Sequence, residues 1–340
     1  MDIRIALDAM GGDHAPASII EGAVQAALEF PDTRFILVGR EECIVAELEK
    51  SGCRRDRFEI RGALEVVGMG EEPAQALRFK KNSSMRVGID MVKSGEADAL
   101  VSAGNTGALM ATARFVLRML PGIDRPAIAT YVPSKTGKTL MLDLGANVEC
   151  GAKNLCQFAI MGKIYATQVL HLPQPRVGLL NVGEEEVKGT GVVKEAAELI
   201  RKALGGSFVG NVEGTDIYEG HIDVVVCDGF VGNISLKSSE GVVRMVSHFL
   251  KESMNYSLWS RIGYLAVRPA LNRFKQKIDP RKYNGAMLLG LDGVVVKSHG
   301  SADGYAFSQA IRVARDLTIN KVNQTIKTHI ALLNNGKGTE

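Results

Sequence analysis

Short runs of β-branched and aliphatic residues alternate along this chain with longer stretches in which apolar positions recur every three to four residues. The short runs, at 3–7, 35–38, 99–102, 127–132, 139–142, 177–181, 224–227 and 293–296, predict strands. The longer stretches, at 18–30, 41–51, 84–94, 107–120, 153–169, 192–203 and 232–252, predict helices, and 303–330 reads as one long closing helix. Uniformly apolar strands separated by helices belong in a largely parallel sheet covered on both faces. The pattern therefore predicts an α/β fold built as one unit over residues 1–335, followed by a polar tail at 336–340. No repeat, low-complexity tract or linker interrupts it.

Charge narrows the function classes. The 340 residues carry 41 Lys+Arg against 38 Asp+Glu, a formal charge of +3, so a global nucleic-acid binder is excluded and any basic function is local. Hydrophobic residues make up 46%, ample for a core and too many for a disordered chain. The 37 glycines, with no repeat to explain them, point to strand-to-helix turns or ligand loops. Five cysteines without a CxxC pair argue against zinc and against a disulfide framework, and read as small buried thiols. The first residues, MDIRIALDAM, lack the basic start and long apolar core of a signal peptide, and no stretch is long and apolar enough to span a bilayer. The expectation is a soluble cytoplasmic protein.

Nearly every strand runs into a loop of small and polar residues. These are Asp8-Ala9-Met10-Gly11-Gly12-Asp13-His14, Ser102-Ala103-Gly104-Asn105-Thr106-Gly107, Asp143-Leu144-Gly145-Ala146-Asn147, Asn181-Val182-Gly183-Glu184, Asp228-Gly229-Phe230-Val231-Gly232-Asn233 and Lys297-Ser298-His299-Gly300-Ser301. Ligands of open α/β sheets bind beyond the carboxyl ends of the strands, so six such loops are expected to converge on one cleft. Gly, Asn and Asp are ordinary turn formers. Plain turns, however, have no need of Ser, Thr, Lys and His as well.

Familiar motifs fail. Gly68-Met69-Gly70 and Gly189-Thr190-Gly191 lack the third glycine of a dinucleotide loop, and Gly137-Lys138-Thr139 precedes a strand where a P-loop precedes a helix. GxSxG and HExxH are absent. What remains suits anions. Ser102, Asn105 and Thr106 lie at a helix start, where backbone N–H groups and the helix dipole favour a phosphate. Lys188 follows three acids between two glycines, placed to stabilise a phosphate or an oxyanion. Lys297 and His299 stand together after a strand, and His14 lies in the first loop.

Taken together, IALDAMGGDHAP, SAGNTGAL, LDLGAN, NVGEEEVKG, CDGFVGN and LLGLDGVVVKSHGS resemble the motif set of the phosphate acyltransferases of bacterial phospholipid synthesis, the PlsX family, over residues 2–330 in the same order. One departure is visible: Thr190-Gly191 follows the KG where an Asn-Glu or similar polar pair is expected. The resemblance implies a Rossmann-like α/β/α sandwich related to isopropylmalate dehydrogenases and phosphate acetyltransferases. It implies transfer of a fatty acyl group from acyl carrier protein to inorganic phosphate, with no cofactor and no metal. It also implies a homodimer, and delivery of the acyl phosphate to a membrane glycerol-3-phosphate acyltransferase. Phosphate is itself the nucleophile in that reaction, so positioned donors suffice. The catalytic candidates are Lys188, His299 and Asn233. Candidates for holding phosphate or substrate are Gly11, Gly12, Asp13, Ser102, Gly104, Asn105, Thr106, Asn147, Asn181, Gly183, Asp228 and Lys297. Asp8, Asp143 and Asp228 are better suited to ordering loops, since a free carboxylate would repel phosphate. Two other readings stay open: a short-chain acetyl-CoA:phosphate acetyltransferase, and a non-catalytic acyl-carrier or lipid-sensing module.

Three basic surfaces offer contacts. Arg78, Lys80, Lys81 and Arg86 form one cluster and Arg54, Arg55, Arg57 and Arg61 another, either suited to an acidic carrier protein. Residues 253–278 combine five cations and no acid with Leu258, Trp259, Ile262 and Leu265, whose spacing fits a basic amphipathic helical arm on an anionic membrane surface. Pro269 is expected to break that arm in two. Its apolar face suits a dimer contact equally well.

Overall fold

The computed structural model describes residues 3–53 and 57–334, with backbone alone at 258, 261, 262, 265 and 334. Among the described residues, eleven strands join in one sheet. One half is parallel: β3 (Phe58–Gly62), β2 (Thr33–Gly39), β1 (Ile3–Asp8), β4 (Ala99–Ser102) and β11 (Val294–Lys297). The other half is also parallel: β6 (Gly137–Leu142), β9 (Val224–Val226), β7 (Val177–Leu180) and β8 (Phe208–Val212). Between them β10 (Ala286–Leu289) runs antiparallel to β11 and to β5 (Ala127–Ser134), and β5 runs antiparallel to β6. Three successive reversals leave the two halves pointing in opposite directions.

The central strands are apolar on both sides because helices cover both faces, giving two core layers. One face carries α1 (Ala17–Glu29), α2 (Glu41–Ser51), α6 (Ala152–Val169), α7 (Gly191–Leu204), α11 (Gly304–Ile319) and α12 (Val322–Asn334), anchored by Ile19, Ile44, Phe158, Ile200, Phe307 and Ile326. The other carries α3 (Pro73–Phe79), α4 (Ser84–Ser94), α5 (Thr106–Leu117) and α8 (Asp216–Glu219), with α9 (Gly229–Asn255) resting on it through Leu236. Beyond its first turn α9 has no fully buried residue, and it continues through Tyr256 and Ser257 into α10 (Leu258–Ile278). This is the protruding arm, longer than the pattern indicates.

Three predicted features differ. The closing helix divides at Asn320–Lys321, where Lys321 takes a left-handed φ of 49°. α10 runs through Pro269 without a break, in a stretch where residues 266–270 are all exposed. Strands β3, β8 and β10 are additional. β10 reads Ala-Met-Leu-Leu, a helical composition made a strand by its position between β11 and β5.

Candidate functional site

The six loops form separate clusters rather than one row. Because the halves run oppositely, the loops after β1, β4 and β11 leave one end of their strands, and those after β6, β9 and β7 leave the other. Six strand-to-strand steps separate β1 from β9. α9 spans the interval: it starts in the second cluster, and its Lys237 and Glu240 act electrostatically on His299 in the first.

In the first cluster, three loops are sewn together by short hydrogen bonds. Ser298 N–H donates to Ser102 O at 2.9 Å, Asp13 N–H to Gly300 O at 2.8 Å, and Ser102 Oγ to Asp8 Oδ2 at 2.6 Å. Packing here requires glycine: a Cβ on Gly11 would overlap Asp8 Oδ2 and stand 2.8 Å from Gly104 N. Beneath lies Lys297, 8% exposed, its Nζ donating to Ala103 O at 3.1 Å and to Ser298 O. Burial brings its pKa down to about 8 against the pull of Asp8 and Asp13. Burial likewise pushes the Asp8 carboxyl up, against bonds from Ser102, Ser84 and Met10 N–H. His299 is exposed; its Nδ1 accepts from Ser301 N–H at 3.3 Å and lies 2.9 Å from Ser301 Oγ, leaving Nε2 available. Burial, then Lys237 and Lys297, hold its pKa below the usual value, so it is neutral at pH 7.

Several of the expected ligand groups are occupied in building these loops. Asn105 Nδ2 donates to Met69 O and Glu71 O, both at 2.9 Å, while its Oδ1 caps α5 at Ala108 N–H. Ser102 is wholly buried. Gly104 is buried too, its N–H donating to Ser102 Oγ at 3.1 Å; Thr106, Asp13, Gly12 and the start of α5 remain to face a ligand.

The second cluster centres on Asp143, which accepts from Ile128 N–H and Ala146 N–H at one oxygen and from Asn147 N–H and Nδ2 at the other. Asn147 Nδ2 also donates to Pro126 O at 2.7 Å. Asp228 caps α9 at Val231 N–H, 2.8 Å. The helix start is pressed against Asp143: a Cβ on Gly232 would overlap the Asp143 carbonyl oxygen. Asn233 is exposed, and a Cβ on Gly145 would lie 3.6 Å from its own Cβ. A cleft of about 470 Å³ opens alongside, lined by Arg114, Arg125, Ala146, Asn147, Val148 and Glu149. Neither arginine carries a motif signal in the sequence; only the fold brings them together.

Lys188 stands in a third loop. Asn181 Nδ2 donates to Lys188 O at 3.3 Å, and a Cβ on Gly183 would touch the Lys188 stem. The half-exposed ammonium lies 3.9 Å from Glu185. Thr190, where the motif departs, caps α7 at Val193 N–H. Burial pushes Cys150 and Cys156 up to about 11 and Cys227 well above its usual value, so these three thiols are poor nucleophiles.

The basic clusters are largely spent. Lys80 pairs with Glu71 at 2.6 Å, Arg86 with Asp90 at 2.9 Å and Arg61 with Glu96, while Arg57 donates to Ala27 O. Arg54 and Arg55 lie outside the described residues. On the arm Trp259 is 81% exposed; the side chains of Leu258, Ile262 and Leu265 lie outside the described ones. No helix among the described residues is long and apolar enough to cross a membrane, and no group of three or more metal-ligating side chains occurs among them.

The family model described as "Fatty acid synthesis protein" matches residues 3–325. The phosphate acyltransferase of Magnetococcus marinus is 56% identical over 336 residues, 97% of this chain and 96% of that one. That of Methylococcus capsulatus is 56% identical over 312 residues, 91% of each. Among solved structures, a phosphotransacetylase from Streptococcus pyogenes superposes with a TM-score of 0.62 at 17% identity, covering 94% of each chain. The EutD phosphotransacetylase of Staphylococcus aureus gives 0.58 at 16%, covering 95% of this chain and 94% of that one. These two share the fold.

Proposed function

The chain belongs to the phosphate acyltransferase family and transfers an acyl group to phosphate, and from that premise we propose that the acyl donor is a fatty acyl thioester of acyl carrier protein. One observation carries the mechanism. Glycine loops and a helix start surround a buried ammonium, while Ser102 is buried and the thiols Cys150, Cys156 and Cys227 are disfavoured as nucleophiles. That arrangement suits direct attack by phosphate. A phosphate oxygen adds to the thioester carbonyl, the tetrahedral intermediate collapses, and the C–S bond breaks. The proton of the hydrogen phosphate ends on the departing thiol, giving acyl phosphate and free carrier.

In this reading Gly11, Gly12, Asp13, Thr106 and the start of α5 receive the phosphate, with Lys297 supplying positive potential from below. His299 donates through Nε2. Asn233 and Lys188 meet the developing oxyanion, and Asn147, Asn181, Gly183, Asp228, Ser102, Gly104 and Asn105 hold the loops in register. The active unit is a homodimer, and the arm bearing Trp259 rests on anionic lipid at the inner face of the cell membrane, where a glycerol-3-phosphate acyltransferase consumes the product. The test is purified protein with palmitoyl carrier protein and phosphate, scored for hydroxylamine-trapped acyl phosphate and released thiol. Lys188→Ala and His299→Ala should each lower turnover about 100-fold with the fold intact, the scale for losing one preorganised donor. Wild-type rates in both would remove them from the mechanism, and a preference for acetyl-CoA would favour the short-chain enzyme.

A further inference from the structure

We propose that Arg114 and Arg125 form a second phosphate subsite, one that takes a phosphate oxyanion, free or esterified, beside the Asp143–Asn147 loop. Arg114 lies in the last turn of α5 and Arg125 in the turn before β5, and both line the same cleft of about 470 Å³. Volumes of this order suit a small ligand or part of a larger one.

Both side chains are exposed, yet neither is neutralised. Several other arginines are bound to acids: Arg86 to Asp90, Arg176 to Asp223, Arg281 to Asp279 and Asp303, Arg315 to Asp32. Arg125 instead donates from one Nη to the Glu149 carbonyl oxygen at 2.9 Å, which fixes the guanidinium and leaves most of its donors outward. Arg114 has no carboxylate partner among the described residues. Asp124, next to Arg125, is taken by Lys153 at 2.9 Å. The one acid lining the cleft is Glu149, so two cations, of which Arg125 is held in place, share the lining with one carboxylate. Two guanidinium forks on a concave wall match the paired oxygens of a phosphate better than they match a carboxamide or hydroxyl ligand.

Position sets the role. Asn147, part of the same wall, is tied to Asp143, and Gly145 packs against Asn233. The cleft thus adjoins the second cluster, while the buried Lys297 belongs to the first. The anion has two possible sources, inorganic phosphate or the phosphodiester of the donor's pantetheine arm. The second source rests on the carrier-protein reading above.

The probes are inorganic phosphate, pantetheine 4′-phosphate and dephosphorylated pantetheine, titrated calorimetrically into wild type and an R114Q/R125Q variant. Both positions are exposed, so the variant should keep its thermal midpoint. Weakening by about 10-fold or more is expected for a phosphate held by two charge-assisted forks. Weakening for pantetheine 4′-phosphate alone assigns the subsite to the donor arm. Weakening for inorganic phosphate assigns it to the acceptor. Pantetheine should not respond, and Arg125→Lys should fall between, keeping charge but losing the fork. Binding of both phosphates unchanged within twofold, or no saturable binding of either to wild type, overturns the proposal. These titrations need no turnover, so an enzyme inactive toward acyl carrier protein would refute the donor assignment and leave the subsite measurable.

Discussion

Lys297 is a lysine withdrawn from water, held by two backbone carbonyls, with Asp8 near enough to act on it. Burial penalises the ammonium, so proton loss is half complete near pH 8. If the ammonium supplies the positive potential that draws phosphate into the loops, kcat/KM for phosphate falls as pH rises through about 8. Lys297→Arg should remove that alkaline limb, because a guanidinium stays charged there, even at a lower overall rate. An alkaline limb that persists in the variant would assign it to another group. His299 is neutral at pH 7 by the same logic, its imidazole disfavoured as a cation by burial and by two nearby lysines. In the proposed mechanism it acts as an N–H donor rather than a second positive charge.

Among the elements, α9 matters most because its first turn carries candidate chemistry and its remainder is arm. Asp228 caps it, and Gly232 lies so close to the Asp143 carbonyl that any side chain must push the helix start and the 143–147 loop apart. Gly232→Ala should destabilise by about 1–3 kcal/mol, the usual range for overpacking. It should also lower turnover through displaced Asn233 and Asn147, read out by thermal unfolding and initial rates on one preparation. An unchanged midpoint would mean that the two loops yield freely and that their contact positions nothing.

For the molecule as a whole, the arm is the open question of assembly. α9 and α10 expose Phe230, Ile234, Val242, Met245, Phe249 and Trp259, an apolar surface that membrane or partner would cover. Trp259, the chain's one tryptophan, reports on it directly. Adding vesicles rich in anionic lipid should shift its emission to shorter wavelength, and salt should reverse the shift. If Trp259→Glu instead lowers the oligomeric mass read by light scattering and leaves vesicle binding intact, the arm is a subunit contact.

The alternation of apolar runs and amphipathic stretches determined the α/β class, the central strands and most of the helices, because strand and helix periodicity are local properties of the chain. The loop residues were legible for the same reason: Asp8, Gly11, Ser102, Asp143, Gly232 and Lys297 sit at strand and helix ends that the pattern already marks. What the tertiary structure decided was direction and company. Three reversals around β10 and β5 point the halves oppositely, and α9 reaches from the second loop cluster to act on His299 in the first. No local pattern contains either fact, since β10 owes its strand to its neighbours. Which polar groups remain free was likewise decided by packing: Asn105 and Lys80 are consumed by contacts distant in sequence or in a neighbouring turn, while Arg114 and Arg125, from a helix end and a separate turn, line one cleft.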